Sequence, residues 1–202
     1  IFYFIKLFLN FKSYKQKVNY FSGKNSSFIV SYLTHLDKEK ISKKIFGTGL
    51  WGDFPELLNK NGFNNNWLLV PANFKNSDNL FNVLKLNRKE NKSRFNFIYS
   101  SLDIISWLEI LKDYIIIFIK SYQYDYKSIF DYKDKTNLFS LFSTDFLSSV
   151  RGAVLLENLI FINSFDKMFS YLAYQKTGFY LQENQGWEIA LNNAWRKYNH
   201  GK

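Results

Sequence analysis

"NWLLVPA", Asn66 to Ala72, is the stretch on which the reading of the chain turns. Its apolar residues run consecutively instead of alternating with polar ones, and Pro71 stops them. That pattern fits a strand buried on both faces of a parallel sheet. Upstream, "FIVSYL", Phe28 to Leu33, follows the turn formers Gly23, Asn25, Ser26 and Ser27 and is expected to be a strand as well. Between the two, after a Lys-rich connector, lies "WGDFPELLNKNG", which carries helix punctuation. Asp53 and Glu56 stand at capping spacing, Pro55 suits a first turn, Phe54, Leu57 and Leu58 share one face, and Gly62 supplies the stop. Strand, helix, strand in this order is a βαβ unit, whose two strands pair in parallel.

The alternation continues along the chain. A short helix is expected over Asp78 to Leu86, a polar loop over Arg88 to Arg94, a strand at "FNFIY" (Phe95 to Tyr99) and a helix over Leu102 to Lys120. The Tyr-, Asp- and Lys-rich segment Ser121 to Asn137 reads as a loop. Leu155, Leu159, Ile162, Phe165, Phe169 and Leu172 recur at three- and four-residue steps, which predicts a long helix over Ala153 to Tyr174. Gly178 then opens "FYLQE", a strand, and Trp187, Leu191, Ala194 and Tyr198 form one stripe of a closing helix. The fold class is therefore α/β, with a mostly parallel sheet flanked by helices, read as one doubly wound domain over residues 1–202.

Composition narrows the function classes. With 47% hydrophobic residues in 202, the chain has enough apolar surface for a core and is not a disordered segment. The 22 Phe and 14 Tyr accompany abundant Asn and Lys, a pattern that biased coding produces, so aromatic frequency does not by itself point to stacking on bases or sugars. No cysteine means no disulfide and no thiolate metal site, and His35 and His200 are too few for a histidine metal site. No metal is expected, and the setting is a reduced, cytoplasmic one. The apolar runs Ile1 to Phe11 and Tyr114 to Ile119 fall short of the roughly 20 residues of a spanning helix.

Net charge is +10, and Ile1 to Phe46 alone sets nine Lys against Asp37 and Glu39. Such a surface attracts phosphate on a sugar nucleotide or an anionic membrane, and is equally a solvated lysine face. Nucleic acid is the weakest partner class, because no helix-turn-helix, zinc-finger or RNA-binding signature accompanies the charge.

Ligands of open α/β sheets gather at the carboxyl ends of the strands. Gln182, Glu183 and Asn184 stand at that edge after the last strand. Asn184 is the candidate helix N-cap, and Glu188 in the first turn complements the helix dipole. Capping alone explains both, and substrate binding by Asn184 and Glu188, with Trp187 beside them, is the alternative. Glu183 is explained less readily, since a carboxylate just past a buried strand needs solvent or a partner. It is the first candidate base, with Asp53, otherwise a helix cap, as the second. His35 beyond the first strand and Arg151 beside Gly152, read as opening the long helix, are candidate substrate contacts. Trp187 fits the core or the rim of the site.

"YLQENQGWEIALNNAWRKYNHGK" (Tyr180 to Lys202), with "SSVRGAVLLENLIF" and "LWGDFPELLNKNGFNNNWLLVP" upstream, resembles bacterial surface carbohydrate biosynthesis proteins. These are presumed glycosyltransferases with two Rossmann-like domains. Relatives commonly carry Pro where this chain has Gly186. The resemblance implies that residues 1–202 are the N-terminal, acceptor-side half, with a strand and a second nucleotide-binding domain following Lys202. It also implies a nucleotide-sugar donor, a glycan or lipid-linked acceptor, no cofactor held by this half, and a place at the cytoplasmic face of the inner membrane. Because the chain opens on Ile1 instead of Met, residues are expected to precede it too. The competing reading is a non-catalytic module that binds sugar or anionic membrane.

Overall fold

The computed structural model describes residues 21, 26–42, 46–70, 93–129 and 139–201. The expected helix at 78–86, most of the loop at 88–94, the residues 71–72 after the central strand and the apolar run 1–11 lie outside them. The chain divides into two compact units, one formed by Ile1–Ser101 with Ser164–Lys202 and the other by Leu102–Asn163.

The first unit holds a four-stranded sheet, all parallel, in the order β3-β2-β1-β4, where β1 is Ser26–Tyr32, β2 Asn64–Val70, β3 Ser93–Phe97 and β4 Thr177–Tyr180. With flanking helices this is a Rossmann-like α/β fold. Register explains its core. Ile29 pairs with Trp67 and Phe179, and Trp67 pairs with Phe95, so one row of large side chains crosses all four strands on one face. Phe46, Trp51 and Phe54 cover that row, with ring centroids 4.7 Å from Phe46 to Trp67 and 5.0 Å from Phe54 to Phe179. Phe54 opens helix α2 (Phe54–Lys60), which follows the short α1 (Lys38–Ser42).

On the opposite face Phe28 meets Phe169 and Trp195, at 5.3 and 6.0 Å between ring centroids. Phe169 lies on the long helix α6 (Ala153–Tyr171), and Trp195 on the closing helix α7 (Gly186–Lys197). Gly178 sits in register with Phe28, and a Cβ there would come 2.9 Å from the Trp195 ring. Only glycine lets the indole lie against β4. Leu68 and Leu69 are fully buried, and each contributes about 2 kcal/mol by leaving water.

The second unit consists of helices. Helix α3 (Ile104–Ser121) starts at Asp103, whose Oδ1 accepts hydrogen bonds from the Ser106 N–H and hydroxyl at 2.8 Å each. The short α4 (Tyr126–Ile129) follows, then α5 (Phe139–Arg151), and the residues of α6 before Ser164 complete the unit. Among the described residues no helix is long and apolar enough to cross a membrane.

Several boundaries differ from the sequence reading, each for a local reason. β1 and β2 begin in polar residues because these are buried and bonded, Ser27 Oγ donating to Asn65 Oδ1 at 2.7 Å. β3 takes in Arg94, read as loop, and stops at Phe97 instead of Tyr99, because Asn96 Oδ1 accepts from the Phe97 N–H (2.8 Å) and the Ser100 hydroxyl (2.6 Å) and folds Ile98–Ser101 into a 3₁₀ turn. Helices α1, α4 and α5 occupy stretches in which none was expected.

Candidate functional site

Strand order fixes where a ligand crevice can form. The chain runs outward from β1 to β2 and β3 and then returns to place β4 on the other side of β1. β1 and β4 therefore flank the topological switch point, and the loops leaving their carboxyl ends border the crevice found there in open α/β sheets.

The loop after β4 is held from below. β4 ends at Tyr180 instead of continuing to Glu183, because Glu188 on the first turn of α7 captures the next backbone donors. Its Oε1 accepts the Glu183 N–H at 2.7 Å and the Gln185 N–H at 2.9 Å. Glu188 is 5% exposed, so these are its working contacts, and its negative charge also complements the helix dipole. Asn184 adopts a left-handed backbone (φ 57°), and the N-cap is Gln185, not Asn184 as expected. Asn or Asp is the residue type that tolerates such a φ. Asn184 Oδ1 instead accepts from Gln182 Nε2 at 3.3 Å. The outcome is a turn whose main chain is pinned while its side chains face solvent. The Glu183 carboxylate is exposed, with no hydrogen bond or ion pair among the described residues.

Across the switch point, the chain after β1 turns at His35, which also has a left-handed φ of 50° and an exposed side chain. Its carbonyl accepts the Gly49 N–H at 2.9 Å, and Trp51 Nε1 donates to Ser31 Oγ on β1 at 2.9 Å, so this second loop rests on the sheet. Asp53 follows, at the start of α2. Its side chain is 98% exposed, makes no capping bond to the helix, and lies 3.9 Å from Lys40 Nζ. Lys40 is chiefly engaged elsewhere, donating to Glu56 at 2.9 Å, and that bond raises its pKa above the usual lysine value.

The remaining candidates are structural in their contacts. Trp187 is 4% exposed and donates from Nε1 to the Tyr32 hydroxyl at 2.7 Å, which ties α7 to the end of β1. Arg151 belongs to the second unit, where it closes α5 and does not open α6 as the sequence reading had it. Gly152 forms the break, and a Cβ there would come 3.0 Å from the Ser148 carbonyl oxygen. The guanidinium donates to Ser121 Oγ and O at 2.7 Å each and lies 3.9 Å over the Tyr122 ring.

One feature escaped the sequence reading. A recess of about 290 Å³ runs along β4 and α7, lined in part by Tyr180, Asn192, Trp195, Arg196 and His200, and none of the candidate residues lines it. Asn192 Nδ2 donates to the Tyr180 hydroxyl at 3.1 Å. His200 Nδ1 accepts the Gln175 N–H at 3.1 Å, and its buried Nε2 has no partner among the described residues. The four-residue spacing of Asn192 and Arg196 was the available signal, since it puts both on one helix face.

In chemical terms the rim offers an exposed carboxylate and several amides beside a helix N-terminus, and the recess offers an aromatic wall with a guanidinium. Among the described residues no group of three or more His, Asp or Glu side chains is placed to hold a metal ion. Comparison with known proteins returns no matching family model, no matching curated protein and no matching solved structure.

Proposed function

We propose that this chain forms the acceptor-side wall of a glycosyltransferase cleft that serves surface polysaccharide assembly at the cytoplasmic face of the inner membrane. The observation that carries the reading is the rim at the switch point: Glu183 projects into solvent from a turn whose backbone Glu188 holds fixed. An inverting transfer requires a base within about 3 Å of the acceptor hydroxyl in the reacting complex. Glu183 takes that proton as the acceptor oxygen attacks the anomeric carbon and the nucleoside diphosphate leaves. Asn184 and His35 orient the acceptor from the two loops, and Asp53 is the alternative base. A nucleotide sugar is the donor.

The test is transfer by the purified protein from a panel of nucleotide sugars to lipid-linked acceptors. Glu183→Gln is expected to lower transfer by about 10²- to 10⁴-fold while the Asp53→Asn variant retains it. Absence of both binding and hydrolysis across the panel contradicts the proposal.

The recess favours a second reading, a non-catalytic sugar-binding module, because Trp195, Tyr180, Asn192 and Arg196 combine a flat apolar wall with hydrogen-bonding groups. Oligosaccharide binding lost in Asn192→Ala and kept in Glu183→Gln, with no transfer, supports that alternative.

A further inference from the structure

The recess along β4 and α7 has two chemically different parts. Its floor is apolar, where Phe28 and Val30 of β1 and Leu191 of α7 are buried. Its mouth is polar, set by the half-buried Tyr180 and Asn192 and the exposed Arg196. No acidic side chain lines it. One wall is held by the fold itself, because Trp195 Nε1 donates to the Gly201 carbonyl and the His200 ring packs 5.0 Å from the indole.

The donors at the mouth are unspent. Asn192 and Arg196 stand one turn apart on α7 and so share a face. The Tyr180 hydroxyl accepts from Asn192 Nδ2 at 3.1 Å, which leaves its own proton to donate. The Arg196 guanidinium makes no hydrogen bond or ion pair among the described residues, whereas the next cation along the helix, Lys197, is paired with Asp166 at 2.6 Å. His200 adds no second positive charge. Its Nδ1 accepts the Gln175 N–H, so the imidazole is neutral. One guanidinium and one hydroxyl donor above an apolar floor select a singly charged anion with an apolar body, which is a carboxylate in preference to a doubly charged phosphate.

We propose that the recess binds a small carboxylate whose apolar body, an aromatic ring or a short acyl chain, lies on the floor while its head accepts from Arg196 and Tyr180. The volume of about 290 Å³ stands at the lower end of ligand pockets, roughly 300–1,000 Å³, and so limits the body to about one ring. This occupant competes with the oligosaccharide of the second reading above, whose hydroxyls would lose water against Phe28, Val30 and Leu191 without gaining partners there. It goes beyond the transfer reading and does not depend on Glu183.

The test is the amide and indole N–H shifts of the isotope-labelled protein, titrated with phenylacetate and separately with hexanoate. At least one acid is expected to give saturable shifts at Gly178, Asn192 and the Trp195 indole; phenylacetate alone identifies a ring, and hexanoate alone an acyl chain. The matching amide, phenylacetamide or hexanamide, keeps the body and loses the charge, and should bind about 10- to 100-fold more weakly. Arg196→Gln should weaken the acid by the same factor, Tyr180→Phe by about 3- to 10-fold, and Lys197→Gln not at all, each with an unchanged far-ultraviolet circular dichroism spectrum. No saturable shift with either acid overturns the proposal, as does equal binding of acid and amide, or an Arg196→Gln variant that binds as well as the parent. Recess shifts produced by maltotriose and by neither acid also overturn it, and return the recess to the sugar-binding reading.

Discussion

At the amino-terminal end of the sheet, Ser26, Ser27, Asn65, Asn66 and Gln175 are buried and bonded to one another; at the carboxyl end, Gln182, Glu183, Asn184 and Gln185 face solvent. The residue types are nearly the same. At the buried end, Gln175 Oε1 accepts from Ser26 Oγ at 2.8 Å and Asn66 Nδ2 at 2.7 Å, while its Nε2 donates to the Ala173 carbonyl at 2.7 Å. Asn65 Nδ2 donates to the Pro55 carbonyl at 2.9 Å and so ties β2 to α2. Every named amide there is spent on holding the fold. At the open end the backbone is held by Glu188 and the side chains remain available. Polar residues at one end of this sheet therefore hold the fold, whereas those at the other end face solvent, where the proposed function places the acceptor.

Substitution can break that contrast. The largest effect is expected from Glu183→Gln, which should lower the transfer rate by about 10²- to 10⁴-fold. Its unfolding free energy should stay within about 0.5 kcal/mol of the parent, as for other surface changes. Gln175→Ala should do the reverse. Loss of a fully buried amide with three bonds is expected to cost about 2–4 kcal/mol in urea unfolding, with activity per folded molecule unchanged. Glu188→Ala stands between them, since it frees the N–H groups of Glu183 and Gln185. It should cost about 1–2 kcal/mol and also lower transfer, because the turn that presents Glu183 loses its anchor.

The smallest effect is expected from pH. Burial lowers the His200 pKa from its ordinary 6.5, so the folded chain keeps this imidazole neutral where the unfolded chain would protonate it. Unfolding then takes up a proton below pH 6.5, and the contribution of His200 is present above that pH and lost as pH falls beneath it. Urea midpoints at pH 7.5 and 5.5 should differ more in the parent than in His200→Asn. The imidazole accepts from the Gln175 N–H, so this loss belongs to the buried end as well.

Much of the layout was legible from residue order. The consecutive apolar run of β2, the punctuation of α2 and the stripes of α6 and α7 depend on local spacing, and each appears in the fold. Other elements depend on partners distant in sequence. Ser26, Ser27 and Asn64–Asn66 carry turn propensity, and burial against Gln175 and α2 overrides it. Helix α5, "FSLFSTDFLSSVR", is rich in serine and reads weakly as a helix. At the site, the Glu183 block could be placed at the sheet edge, but its cap could not be located. The left-handed Asn184 moves the cap by one residue, and Glu188 becomes the anchor of the turn. The recess beside β4 required the three-dimensional meeting of α7, β4 and the His200 turn.

The contrast between the two ends can be read in one experiment, the amide chemical shifts of the isotope-labelled protein titrated with nucleotide sugars and short oligosaccharide acceptors. Saturable shifts are expected at His35 and at Glu183, Asn184 and Gln185, with Ser26, Asn66 and Gln175 unmoved. Shifts confined to Asn192, Arg196 and the rest of the recess, or centred on the amino-terminal polar cluster, would contradict the assignment of the rim as the working end of the sheet.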